Sequence, residues 1–187
     1  CLGLARAAVA AGAVIHEKSR VLDVEIGSNP WARTAGGKVS AKYMIIAGNA
    51  YLGRTVPKLY GRVMPVSSYI LATEPLGENR ARALIRDNEA VANTNFIVDY
   101  YRLTRDTRML FGGRASYSTL EPPNLGAYMR PRMTAVFPQL RDVKIDYAWG
   151  GTLGITATRL PLVRRVAPNV LTASGYSGLG VMLGPYF

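Results

Sequence analysis

Apolar and polar positions follow different rhythms along the chain, and the changes of rhythm mark its elements. Leu2 to Ala11 is Ala-rich and predicts a helix, with Gly12 as its stop. Val14-Ile15 then begins a short strand. Leu22, Val24 and Ile26 alternate with Asp23 and Glu25, the period of a strand. Asn29-Pro30 marks a turn. Trp31 to Thr34 and Val39 to Lys42 flank Gly36-Gly37, a hairpin signal. Tyr43 to Ala47 is an unbroken apolar run closed by Gly48-Asn49, which suits a strand buried on both faces of a sheet.

From Val63 the texture changes. Val63 to Thr73 predicts a long strand and Glu78 to Ile85 a short helix. Ile97 to Leu103 and Met109 to Ala115 predict two strands joined by the polar turn Thr104-Arg105-Asp106-Thr107. Pro122-Pro123 breaks the chain, and Leu125 to Phe137 has helical spacing with Pro131 as a kink point. Tyr147 to Thr158 is rich in Gly and Thr and suggests no particular element. Val170 to Ala173 is another short buried strand, followed at once by the glycine-rich segment Gly175 to Val181. The ends therefore read as α/β and the middle as an antiparallel α+β sheet. That order is expected when one domain is left and re-entered. The boundaries predicted are 1–61 with 150–187 for the outer domain and 62–149 for the inserted one.

Composition narrows the classes. With 187 residues, 49% of them apolar, the chain can bury a core and is long enough for one domain or one and a half. No run approaches the ~18 apolar residues of a membrane span. The lone Cys1 forbids an internal disulfide and fits a reducing, cytoplasmic compartment. The lone His16, beside Glu17, leaves no multi-histidine metal site and reads as a surface pair. The net charge of +11 invites a nucleic-acid reading. The arginines are scattered, however, with no run of five or more like charges, so a solvated surface is expected and nucleic acid is not. The chain does not begin with Met, and both ends read as cuts.

The strongest local chemistry is the segment Gly175-Tyr176-Ser177-Gly178-Leu179-Gly180-Val181 after a buried strand. Glycine permits positive φ and close approach of a ligand, and successive N–H groups can form an anion-binding nest. A tight strand-to-helix turn is the competing reading. Tyr69, Tyr100 and Arg102 are candidates for a pocket in the inserted domain, since tyrosine offers an apolar wall with a polar tip and arginine can fork onto a carboxylate. Strand alternation puts Tyr100 and Arg102 on one face and Tyr101 on the other; plain sheet packing competes here too. Trp149 reads as a core aromatic, and Arg159 and Arg164 as surface charge or a pair flanking Pro161. Asp99 and Asp106 are too isolated to argue a carboxylate pair.

Several short stretches, in order, resemble a known family: Gly3 to Ala8, Ser19-Arg20-Val21, Ile46 to Tyr51, Met64-Pro65-Val66, Asp99 to Arg102, Leu110 to Gly113, Trp149-Gly150-Gly151, Arg159-Leu160-Pro161 and Gly175 to Val181. The family is that of the FAD-dependent oxidoreductases that include D-amino acid oxidase, sarcosine oxidase and glycine oxidase, and the likeness is greatest to its members that oxidise gamma-glutamylputrescine. The resemblance implies a discontinuous FAD-binding domain with an inserted antiparallel substrate domain. It also implies that the N-terminal dinucleotide-binding strand, GxGxxG turn and helix lie upstream of Cys1. It gives Val21 a backbone role at the adenine. Ala47 and Gly48 become the close-approach residues at the dinucleotide, and Gly178, Leu179, Gly180 and Val181 a loop beside the flavin ring. The activity implied is oxidation of an amine, gamma-glutamylputrescine-like or amino-acid-like, with hydride transfer to flavin and oxygen as acceptor, in polyamine catabolism.

This sequence departs from the family at telling places. Leu179 stands where many relatives carry His, and Met182 where sarcosine-oxidase-like members carry Lys, which moves the expected substrate away from simple N-methyl amino acids. No Cys lies between Trp149 and Thr158, so the FAD is expected to be non-covalent. No general base stands out, and a neutral amine needs none for hydride transfer. Two rivals remain: a dehydrogenase or tRNA-modifying relative on the same fold, and a basic non-enzymatic binding module.

Overall fold

The computed structural model describes residues 1–118 and 120–187. In chain order the elements are α1 (Leu2–Ala10), β1 (Val21–Glu25), β2 (Trp31–Thr34), β3 (Gly37–Ser40), β4 (Met44–Ile46), β5 (Met64–Thr73), α2 (Glu78–Leu84), β6 (Val91–Ala92), β7 (Tyr100–Leu103), β8 (Met109–Ser116), α3 (Leu125–Val136), β9 (Ile145–Ile155), β10 (Leu162–Ala167), β11 (Val170–Ser174) and α4 (Gly180–Leu183). Two compact units form: Cys1–Pro65 with Leu153–Phe187, and Val66–Thr152. Among the described residues no helix is long and apolar enough to cross a membrane.

The first unit holds two small sheets. In one, β1, β2 and β3 pair antiparallel in that order, with Thr34 opposite Gly37 across a two-residue turn. In the other, β10 and β11 form an antiparallel hairpin and β4 joins β11 in parallel, Leu171 opposite Ile45. Ile46, Val56, Leu59 and Val170 form the core, with Val24, Ile26, Met44 and Leu52 packed around them. The strand expected at Val14-Ile15 does not form; both side chains are exposed and the segment pairs with nothing. β4 is not buried on both faces, because Ile45 is 68% exposed while Ile46 points into the core. α1 forms over nearly the predicted span, yet buries no residue.

The second unit is one antiparallel sheet in the order β6-β7-β8-β5-β9, with helices on one face. Alternation decides what each face carries. Tyr69, Leu71, Leu103, Met109 and Phe111 point to the helices and pack on Ala81, Met129, Met133 and Phe137. Tyr101 belongs to that face, stacked on Phe111 with ring centroids 5.7 Å apart. Burying such side chains is worth roughly 1.5–3 kcal/mol each, which makes this cluster the main source of the unit's stability. Asn124 caps α3, its Oδ1 accepting from the Ala127 N–H at 2.9 Å. The helix continues through Pro131.

Asp99 is buried and accepts from Arg132 Nη2 at 2.7 and 2.8 Å and from Nε at 3.0 Å. This ties the start of β7 to α3. The Gly- and Thr-rich stretch around Trp149 is the long strand β9, whose alternation is hidden by Gly150, Gly151 and Gly154. Trp149 is 44% exposed there, not a core aromatic.

Candidate functional site

β4 and β11 run parallel, so the chain leaves both from the same end. Ligands in α/β sheets bind at the carboxyl ends of strands, where the outgoing loops meet. Ala47 and Gly48 follow β4, and Gly175 to Val181 follow β11. These predicted residues are therefore brought together. Val21 is not in that group: it opens β1 in the other sheet, beside a register shift before Asp23.

One residue to which sequence reasoning assigned no role joins the two loops. Asn49, in a left-handed conformation (φ 47°), has its Oδ1 accept from the Gly175 N–H at 2.8 Å and its own N–H donate to Ser174 Oγ at 3.2 Å. Asn tolerates this backbone better than most residues. Gly154 makes room for it: a Cβ there would overlap the Asn49 amide. Gly154 also accepts from the Ser177 N–H at 2.9 Å through its carbonyl. The loop is thus pinned on two sides.

Within the loop, Gly175, Ser177 and Gly178 have φ of 69°, 52° and 97°. At Gly178 the backbone itself calls for glycine. Gly180 is different. Its φ is not left-handed, and a Cβ would meet only the Tyr176 side chain, at an ordinary 3.5 Å from its Cβ, so nothing in the chain forbids a side chain there. The N–H groups of Gly178, Gly180 and Val181 have no protein acceptor among the described residues, while that of Leu179 is taken by the Tyr176 carbonyl at 3.0 Å. Free donors beside an unfilled approach suit an acceptor-bearing planar group. Leu179, Val181 and Met182 are exposed around them and add an apolar rim.

The second unit separates the other candidates. Tyr100 and Arg102 lie on the sheet face opposite the helices and, with Ile70, Val91 and Leu110, line a cavity of about 300 Å³. The Tyr100 ring lies over Gly112, where a Cβ would overlap it. Arg102 is exposed, its Nε donating to the Leu103 carbonyl at 3.4 Å. Tyr69 does not share that pocket: period two puts it on the helix face, 2% exposed. Asp99 is held by Arg132, and Asp106 by Thr104 and Arg108, so neither belongs to a carboxylate pair. His16 and Arg164 are exposed. Among the described residues no group of acidic, His or Cys side chains could hold a metal.

Comparison with known proteins gives these features a context. Gamma-glutamylputrescine oxidoreductase of Escherichia coli (strain K12) is 43% identical over 171 residues, 91% of this chain and 40% of that protein. A protein described as probable oxidoreductase OrdL, from Rhizobium meliloti (strain 1021), is 40% identical over 186 residues, 99% of this chain and 43% of its own length. The chain thus spans about two fifths of the curated relatives it matches. Among solved structures, glycine oxidase from Geobacillus kaustophilus superposes with a TM-score of 0.77 at 24% identity, over 99% of this chain and 50% of that one. L-proline dehydrogenase from P. horikoshii gives 0.79 at 19% identity, over 98% and 51%. Both share the mixed α/β fold with antiparallel sheets. The family model described as DAO, FAD dependent oxidoreductase, matches residues 1–187, and the chain belongs to that family.

Proposed function

We propose that the complete protein oxidises an amine with non-covalently bound FAD, and that the loop from Gly178 to Val181 holds the edge of the flavin ring. The observation that carries this reading is the pinned loop with unclaimed N–H donors at the shared carboxyl end of β4 and β11. Bound FAD supplies the two-electron acceptor for a hydride equivalent from the carbon beside the amine. The chain's own part is to hold fixed donors where negative charge grows, which needs no reorganisation during the reaction. The apolar rim of Leu179, Val181 and Met182 keeps water away and strengthens those donors. Ala47 and Gly48 leave the backbone open to the dinucleotide, and Val21 offers its backbone to the adenine. In the second unit, Tyr100 and Arg102 face the substrate. No general base stands out in the loop, and an amine bound in its neutral form needs none for hydride transfer.

Gly178→Val and Gly180→Ala in the complete protein test the loop. Valine at Gly178 must adopt a left-handed backbone, at roughly 1–2 kcal/mol, and also displaces a donor, worth ~2.7–4 kcal/mol by analogy with oxyanion holes. Alanine at Gly180 strains nothing within the chain and intrudes only on the ligand. Melting temperature, bound-flavin absorbance and anaerobic reduction rate are read together. Both variants are expected to lose flavin or reduction, the second without melting early. Variants that melt early but bind and reduce FAD normally would return the loop to a structural turn. For the substrate, Met182 supports a long amine of the gamma-glutamylputrescine kind over sarcosine or glycine. Peroxide release under air, compared at matched concentrations, measures this and the role of oxygen; a higher kcat/KM for sarcosine refutes the preference. Flavin reduction that proceeds with a dye but yields no peroxide would favour a dehydrogenase.

A further inference from the structure

The six methionines differ in what surrounds them. Met109, Met129 and Met133 are fully buried in the core of the second unit, and Met44 packs against the core of the first. Met64 is 47% exposed at the start of β5. Met182 is 66% exposed and sits on α4, directly after Gly180 and Val181. Its backbone closes the turn of that segment: the Met182 N–H donates to the Leu179 carbonyl at 3.1 Å, and the Leu183 N–H to the same oxygen at 2.9 Å. The side chain takes no part in those bonds and belongs to the apolar rim with Leu179 and Val181. A thioether is soft and polarizable, and its oxidation turns a flexible apolar side chain into a polar, chiral one. Core neighbours shield a buried sulfur from an oxidant; nothing comparable covers Met182 among the described residues.

Oxygen reduced at the loop leaves as hydrogen peroxide, and a group beside the point of release meets it before it is diluted. We propose that Met182 is a modification site: peroxide formed in turnover oxidises its thioether to the sulfoxide, which loosens the flavin and slows the enzyme. This rests on the amine-oxidation reading with oxygen as acceptor. In the step, the sulfur lone pair takes one oxygen of the peroxide and the O–O bond breaks. The sulfur is oxidised by two electrons, the peroxide is reduced, and the second oxygen leaves as water with both protons. The new sulfoxide oxygen is a strong acceptor in the rim. It draws water to N–H donors that act best in a dry surrounding. Met182 packs into neither core, so the fold is kept, and sulfoxide reductases reverse the change.

The complete, FAD-loaded protein is turned over with a long amine under air, with catalase in the solution, and sulfoxide at each methionine is read by peptide mass spectrometry. Met182 should be oxidised at least about fivefold faster than Met64. Peroxide added to the resting protein should instead attack the two at comparable rates, in keeping with exposures of 66% and 47%. As Met182 sulfoxide accumulates, anaerobic flavin reduction should slow about tenfold and bound flavin should fall, with the melting temperature unchanged; sulfoxide reductases should restore both. Met182→Leu should hold its own starting rate through the same treatment, whereas Met64→Leu should decay as the parent does. Met64 and Met182 oxidised in parallel during turnover, a full rate in protein oxidised at Met182, or a Met182→Leu enzyme that decays like the parent would each overturn the proposal. Added peroxide separates it from the oxidase reading. If no amine yields peroxide, yet added peroxide releases flavin from the parent and not from Met182→Leu, the sensitive site stands without the chemistry; flavin retained equally by both removes the site as well. If amines yield peroxide and Met182 stays a thioether, the site falls and the chemistry stands.

Discussion

At the scale of single residues, Asn49 does the most with the least. Its amide carbonyl and its backbone N–H hold opposite sides of the joint between two loops that are 126 positions apart in the chain. Asn49→Ala removes the acceptor from the Gly175 N–H, a loss of about 1–2 kcal/mol for a partly buried bond. Hydrogen exchange at the Gly175 amide should accelerate and flavin should be held less tightly, while Asn49→Asp, which retains the acceptor, should stay closer to the parent. Unchanged exchange in Asn49→Ala would show that the clamp is not what holds the loop. The sequence displays Gly48-Asn49 plainly as the end of a strand, but not the residue it clamps, because a contact across the chain leaves no local trace. Tyr69 fails for the opposite reason. Its type suggested a pocket wall, and only the register of β5 against β8 reveals that it faces the helices.

At the scale of elements, periodicity was a good guide where polar and apolar residues alternate cleanly. β1, β5 and the pair β7 and β8 stand close to where the pattern puts them. β9 was hidden because glycines carry no side chain to show a period, and β10 because Arg164 and Arg165 interrupt it on an exposed strand. The edge of the sheet is held by charge. Arg108 donates to Asp146 at 2.6 Å and to Asp106 at 2.7 Å, and Lys144 lies 3.0 Å from Asp146. The hydrogen bond from Arg108, then that from Lys144, holds the Asp146 carboxyl below its ordinary range. A carboxyl so lowered adds stability that is fully present above its unfolded value, about 3.9, and is lost as pH falls through the folded value. Asp146→Asn should therefore melt below the parent at neutral pH, with the gap closing in acid under about pH 4. A gap that stays constant down to pH 2 would place the effect in packing instead. Where α3 meets β7, Arg132→Ala should cost about 3 kcal/mol, because it strands the buried Asp99 charge. A melting temperature within a degree of the parent would show that Asp99 finds another partner.

At the scale of the whole molecule, the sequence changes texture around Val63 and again near Trp149, and the chain forms two compact units, Cys1–Pro65 with Leu153–Phe187 and Val66–Thr152. What composition could not convey is how unevenly the apolar residues are buried. The second unit closes a full core between sheet and helices, whereas the first leaves Leu2, Leu4 and Val9 of α1, with Ile45 and Leu171, turned outward. At Gly3, on the same helix, nothing lies within 4 Å of where a Cβ would sit. Where exposed apolar side chains adjoin, they promote association. Handled as an isolated polypeptide, residues 1–187 should self-associate as concentration rises, visible as a growing hydrodynamic radius. Ile45→Lys together with Leu4→Lys should hold it to a single copy; a radius independent of concentration in the parent would refute this. For the bench, the bare α1 face therefore sets the choice of material: yield and solubility, not the chemistry of the loops, will decide which length of polypeptide can be purified for every assay described above.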